Sequence, residues 1–145
     1  MSKELSTPDA RSRLREMIKD IRFAMFTTRH DGQMHSRPMT TQLSEDDDAG
    51  RLWFFASRQG EPVADIALDS QVNISYADPD RDAYVSVSGT AKVVEDMARK
   101  NALWSTFAEA WFPGGVTDPD LALIEVNVTG AELWDVNTNK AMQLF

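Results

Sequence analysis

The sequence predicts a mainly β fold: an antiparallel barrel of about six strands with helices at its edges. Three observations carry this expectation. Short segments rich in β-branched and aromatic residues recur along the chain and are separated by turn-forming residues. His30-Asp31-Gly32-Gln33 sets an Asp-Gly pair between two of them, the chemistry of a tight hairpin turn. The regular alternation of strand and long helix that marks a doubly wound parallel sheet is missing. A length of 145 residues suits one domain spanning 1–145, and 42% hydrophobic with 26% charged residues is ordinary for a globular chain.

The elements follow in order. Residues 6–20 read as a helix, its body from about 7, with Thr7 as N-cap, Pro8 at the first helical position and Asp9 in the first turn. Leu14, Met17, Ile18 and Ile21 form its apolar stripe. Residues 21–29 and 34–43 flank the Asp-Gly turn as strands. Residues 44–50 are acidic and aperiodic, a loop. Residues 51–56 make a strand whose period of two sets Phe54 on one face and Trp53 with Phe55 on the other. Residues 60–68 read as a short helix with Pro62 in its first turn and Val63, Ile66 and Ala67 facing inward. Strands follow at 71–77 and 83–94, with Asp78-Pro79-Asp80-Arg81 turning between them. Val85, Val87, Ala91 and Val93 share one face of the second, and Tyr84, Ser86 and Ser88 the other. A helix at 95–111 stops at Pro113-Gly114-Gly115, and strands at 121–128 and 131–136 complete the set. The apolar end Met142-Gln143-Leu144-Phe145 is expected to dock on a surface or a partner subunit.

Composition narrows the function. The net charge of −8 lacks the basic footprint of a phosphate-backbone binder, so neither nucleic acid nor an anionic membrane surface is an expected partner. With no cysteine, disulfides, thiolate nucleophiles and cysteine metal sites are excluded. The first 20 residues are charged and carry no apolar run, from which a cytoplasmic protein without signal peptide is expected. No P-loop, Gly-x-Gly-x-x-Gly or Gly-x-Ser-x-Gly element occurs. The contiguous acids Glu45-Asp46-Asp47-Asp48 lack the alternating spacing of a calcium loop. His30 and His35 are expected on opposite sides of their hairpin, without acids at metal spacing, so no metal site is predicted.

The chemistry concentrates in two segments. In Ser36-Arg37-Pro38-Met39 a lone arginine sits in a strand that Pro38 marks as an edge or a bulge. An inward arginine there requires an anion. The residues leave two anions equally open, a carboxylate of this chain or a bound ligand. Leu52-Trp53-Phe54-Phe55-Ala56-Ser57-Arg58 then runs an aromatic strand toward a helix start, where free N–H groups attract phosphate. Together they have the makings of a site for a flat, anionic cofactor. Ordinary core packing and capping explain the same residues without one.

Taken with Val72-Asn73-Ile74-Ser75-Tyr76-Ala77-Asp78-Pro79, Tyr84-Val85-Ser86-Val87-Ser88-Gly89 and Trp111-Phe112-Pro113-Gly114-Gly115, these blocks resemble, in order and spacing, a known family. It is the bacterial general stress protein branch of the pyridoxamine 5′-phosphate oxidase-like, FMN-binding split-barrel superfamily, and the likeness spans about residues 8–136. The resemblance implies a six-stranded split barrel acting as a homodimer, with FMN, or FAD, at the subunit interface. By that resemblance Arg37, Pro38, Met39, Thr40 and Gln42 line the ring and ribityl chain. Phe54, Phe55, Ala56, Ser57 and Arg58 belong to the strand beside it, Tyr84 reaches it from the long strand, and Trp111 meets the ring from a capping helix.

Two departures stand out. Relatives carry a phosphate-binding lysine at the start of the short helix, where this chain has Glu61-Pro62, and a proline has no N–H to donate. Arg58 and Arg81 are the cations that could compensate. The arginine- and histidine-rich C-terminal segment of true pyridoxamine phosphate oxidases is replaced by Leu133-Trp134-Asp135-Val136-Asn137-Thr138-Asn139-Lys140, so vitamin B6 synthesis is not expected. The resemblance therefore implies a flavin-dependent oxidoreductase of unassigned substrate. The alternatives are a non-catalytic flavin-binding or flavin-sequestering stress protein, and a structural dimer that has lost flavin. No catalytic acid or base stands out.

Overall fold

The computed structural model describes residues 7–45, 49–136 and 140–143. In chain order the elements are α1 (Thr7–Ile18), β1 (Ala24–His30), β2 (Gln33–Met39), β3 (Arg51–Ser57), α2 (Glu61–Leu68), β4 (Gln71–Asp78), β5 (Ala83–Val94), α3 (Met97–Leu103), α4 (Thr106–Trp111), β6 (Leu121–Asp135) and β7 (Lys140–Gln143). A 3₁₀ turn at Pro79–Arg81 joins β4 to β5.

Six antiparallel strands run in the order β2-β1-β4-β5-β6-β3, and β7 pairs with β6. Beyond β2 the chain crosses to the far edge of the sheet. There the Gln42 N–H donates to the Trp53 carbonyl at 2.7 Å, so the two ends of the sheet meet through β3. This is the expected split barrel. Pro38 lies on the edge strand β2, where its missing N–H costs no ladder bond. Asp31 and Gly32 both have positive φ, 49° and 77°, as a two-residue hairpin turn requires. At Gly89 the β5–β6 register shifts, and a Cβ there would come within 2.5 Å of the Asn127 carbonyl oxygen. Only glycine fits that close approach.

The strand faces sort the core into two parts. Phe26, Phe54, Ile74, Tyr76, Val87 and Ile124 are buried inside the barrel with Leu14 and Ile18 of α1. Phe26 and Phe54 meet edge to face at 4.9 Å. Each such side chain contributes roughly 1.5–3 kcal/mol on burial. On the other face of β3, Trp53 and Phe55 pack with Leu103 of α3, Ala108 of α4 and Leu121 and Leu123 of β6.

Several boundaries differ from expectation. The helix predicted at 95–111 is two helices. Trp104 has extended backbone, and the Ser105 side chain accepts from the Ala108 N–H to start α4 afresh. The strands predicted at 121–128 and 131–136 are one continuous β6. Thr7 is the first helical residue of α1, and the helix stops at Ile18. In α2 Ala67 is exposed, and Asp65 is buried instead. Residues 140–143 dock as β7 along β6, while Asp46–Asp48 and Leu144–Phe145 lie outside the described residues. Among the described residues no helix is long and apolar enough to cross a membrane.

Candidate functional site

Outside the barrel, a cavity of about 240 Å³ lies between the end of β2, the outer face of β3, the start of α2 and the face of α4. One wall is apolar. Phe55 comes from the outer face of β3, and Ala56, on the same face of the strand as Phe54, adds to the wall near the end of β3. Phe107, Ala108 and Trp111 lie along one face of α4 at helical spacing, and Phe112 follows as its C-cap. Phe23 closes the wall. It meets Trp111 edge to face at 6.2 Å, and the Arg22 guanidinium lies 5.0 Å from the Phe23 ring and 4.7 Å from the Phe107 ring. Trp111 and Phe107 remain about half exposed, so the wall is also a rim.

The opposite side is polar. Arg37, Pro38, Met39, Thr40 and Gln42 follow the chain out of β2, and Ser57, Gly60 and Pro62 lead into α2. Arg37 Nη1 donates to the Thr28 hydroxyl at 2.7 Å and to the Phe26 carbonyl at 3.2 Å. Its Nη2 donates to Glu61 Oε1 at 2.9 Å and lies 3.5 Å from Asp65 Oδ2. Of the two anions open to Arg37, the structure supplies the carboxylates. Glu61 and Asp65 stand four residues apart, one turn of α2, and therefore share a face.

The same corner gathers both histidines. The two-residue turn pairs Thr28 with His35 and Phe26 with Arg37, which sets His30 and His35 diagonally on one face of the hairpin. Their rings stack at 4.9 Å, correcting the expectation that they lie on opposite sides. His30 Nδ1 is 2.7 Å from Asp65 Oδ1, and His35 Nδ1 is 2.8 Å from Glu61 Oε1. The Thr28 hydroxyl accepts from Arg37 and donates to Asp65 Oδ2 at 2.7 Å. The hydrogen bond to Asp65 raises the His30 pKa above its ordinary value, outweighing the cost of burial. The hydrogen bond with His35 lowers that of Glu61. Burial pushes Asp65 upward, but the hydrogen bonds from Thr28 and His30 and the nearby positive charges bring it below the ordinary carboxylate value.

Of the residues singled out in the sequence, Arg37, Pro38, Met39, Thr40, Gln42, Phe55, Ala56, Ser57 and Trp111 line this cavity. Three do not. Phe54 points into the barrel core, as the period-two alternation of β3 dictates. Arg58 turns outward to Glu95, with Nη1 donating to Oε1 at 2.6 Å and Nε to the Pro119 carbonyl. Tyr84 lies on the outer face of β5, between Ala77 and Trp134. Arg81, the other cation considered for phosphate, holds Asp78 at 2.6 Å. Sequence reasoning missed Phe23, Phe107 and Ala108. Phe107 had a signal, four residues before Trp111 on one helix.

Known proteins share this fold. Over 143 residues the chain is 24% identical to general stress protein 26 of Bacillus subtilis, covering 97% of this chain and 99% of that protein. It is 29% identical over 120 residues to the protein bli-3 of Neurospora crassa, whose length it spans to only 57%. The structure of general stress protein 26 from Bacillus anthracis superposes with a TM-score of 0.77, at 22% identity, over 92% of this chain and 98% of that one. That of a general stress FMN/FAD binding protein from Xanthomonas citri gives 0.75 at 31% identity, over 88% and 89%. The sequence pattern of the family described as pyridoxamine 5′-phosphate oxidase like matches residues 9–145. With nearly the whole chain inside that match, and relatives alike in both sequence and fold, the protein belongs to the pyridoxamine 5′-phosphate oxidase like family.

Proposed function

We propose that the cavity binds the ring system of a flavin, FMN in the first instance, and that the protein is a flavin-dependent oxidoreductase. One observation supports this most directly: a narrow space walled by Phe55, Phe107 and Trp111 and edged by Arg37, Thr40 and Gln42. A flat aromatic ligand with hydrogen-bonding groups on one edge matches both sides. The likeness to the Xanthomonas citri protein adds to it.

When bound, a flavin supplies the hydride and electron transfer. The chain binds, orients and shields. Its aromatic wall excludes water, and the Thr40, Gln42 and Arg37 side would face the polar edge of the ring. Among the described residues that line the cavity, Arg37 alone is charged. Its positive charge would stabilise negative charge developing on the ligand. At about 240 Å³, one chain offers less than the roughly 300–1,000 Å³ of a typical ligand pocket. Exposed Phe107 and Trp111 stand at the open side. A second copy of the chain would complete the site there, making the working form a homodimer.

Titration of purified protein with FMN, FAD and riboflavin, followed by flavin fluorescence and absorption, tests the proposal. Saturable micromolar or tighter binding with a perturbed spectrum is expected. Absence of binding to all three would sink it. A second function, non-catalytic flavin binding, is favoured by one observation: among the described residues no histidine or carboxylate lines the cavity to serve as acid or base. Turnover of a reduced nicotinamide with an electron acceptor separates the two.

A further inference from the structure

We propose that His30, His35 and Glu61 form a binding site for a divalent transition-metal ion of the zinc class. These are the only histidines of the chain, and the fold brings both to one place. His30, His35 and Glu61 each offer a ligand atom, and the three lie within 4.8 Å of one another. Asp65 stands beside them, with Oδ1 at 2.7 Å from His30 Nδ1.

The distances suit such an ion. Zinc binds imidazole nitrogen and carboxylate oxygen at about 2.0–2.2 Å, so the donors of a tetrahedral centre lie roughly 3.3 Å apart. Here His35 Nδ1 to Glu61 Oε1 is 2.8 Å and His30 Nδ1 to Glu61 Oε1 is 3.7 Å. The donors bracket the required separation. Two imidazoles with a carboxylate select zinc, nickel or copper over calcium and magnesium, which prefer oxygen alone.

The surroundings support capture. Asp65 is buried and tethered by Thr28, so its contact with His30 positions that imidazole before the ion arrives. His35 and Glu61 are about two-fifths exposed, which leaves a path from solvent. Arg37 is the resident cation on Glu61 Oε1. A metal ion would displace that one contact, while Arg37 keeps Thr28 and the Phe26 carbonyl.

Tag-free protein stripped with a chelator would be titrated with Zn²⁺ against a chromophoric competitor. The expected result is one zinc ion per chain at micromolar or tighter affinity. His35→Ala and Glu61→Gln should each weaken it at least tenfold, and His30→Ala with His35→Ala together should abolish it. Both single changes are at exposed side chains, and circular dichroism would confirm that the variants are folded. As a second measurement, long-range ¹H–¹⁵N spectra should show both imidazoles shifting on zinc addition, with no other histidine to confuse them. The proposal falls if the wild-type chain takes up no stoichiometric zinc. It falls equally if zinc binding survives the double histidine change, or if neither imidazole responds.

Discussion

The two sides of the cavity are built in different ways. The aromatic wall comes from Phe23, Phe55, Phe107 and Trp111, held by packing and by ring–ring and ring–cation contacts of 4.7–6.2 Å. The polar corner reaches the cavity through Arg37 and comes from Thr28, His30, His35, Arg37, Glu61 and Asp65, held by hydrogen bonds of 2.7–2.9 Å. Apolar contact is non-directional and survives small shifts. A hydrogen-bonded charge cluster does not, because each partner that is removed leaves another unsatisfied in a half-buried place. The wall should therefore govern ligand affinity with little effect on folding, and the corner should do the reverse.

The largest expected effect tests the corner. Asp65→Ala removes the partner shared by Thr28, His30 and Arg37 and should lower the unfolding free energy by about 2 kcal/mol, read from urea denaturation. Trp111→Ala, at a side chain 57% exposed, should change stability by no more than about 0.5 kcal/mol. Equal losses in the two variants would erase the distinction. Ligand binding tests the wall. Trp111→Ala should weaken FMN and riboflavin alike, about tenfold, since stacking on an aromatic side chain contributes on the order of 1–3 kcal/mol and does not involve phosphate. A loss confined to FMN would mean that Trp111 does not meet the ring.

The sequence shows the wall far better than the corner. Trp53-Phe54-Phe55 and Trp111-Phe112 announce themselves by size, and the alternation of β3 already divides Phe54 from Phe55. The barrel is equally visible, because its strands and its Asp-Gly turn are local patterns. The corner is assembled from β1, β2 and α2, three elements whose members look ordinary alone. Asp65 sits in a helix read as turning Ala67 inward, and only the tertiary fold reveals that it faces Arg37 and His30. The histidines were misplaced for a related reason. Five residues apart in an extended chain they would face opposite ways, but the two-residue turn changes the count and returns His35 to the face of His30. The helix break at Ser105 escaped because Trp104 and Phe107 continue an apolar period across it. One capping hydrogen bond outweighed that period.

Glu61→Gln sharpens the comparison at the place where the two sides meet. Glu61 holds Arg37 Nη2 at 2.9 Å from the start of the short helix. Neutralising it frees part of the Arg37 guanidinium and removes a negative charge from the path of a phosphate. FMN affinity should rise several-fold while riboflavin affinity stays constant. A parallel change in both would show that Glu61 acts through the shape of the cavity rather than through charge.

The smallest effect belongs to Arg58, the cation that the sequence placed beside the ligand and the structure turns outward to Glu95. Arg58→Ala should leave FMN affinity unchanged, and a clear loss would extend the polar corner beyond β2 and α2. Glu95→Gln isolates the ion pair, since Arg58 keeps its bonds to the Pro119 and Leu121 carbonyls. The hydrogen bond from Arg58 lowers the Glu95 pKa in the folded state. A carboxylate with a depressed folded pKa contributes stability above its unfolded value, about 4.3, and loses it as pH falls through the folded value. The wild-type chain should therefore melt slightly above Glu95→Gln between pH 6 and pH 8, with a gap that closes on acidification. The gap should be small because the pair is exposed to solvent and is screened by salt. It should also be much smaller than that produced by Asp65→Ala, since Asp65 and its partner Thr28 are buried. If the two gaps were alike, burial would not be what distinguishes the corner from an ordinary surface pair.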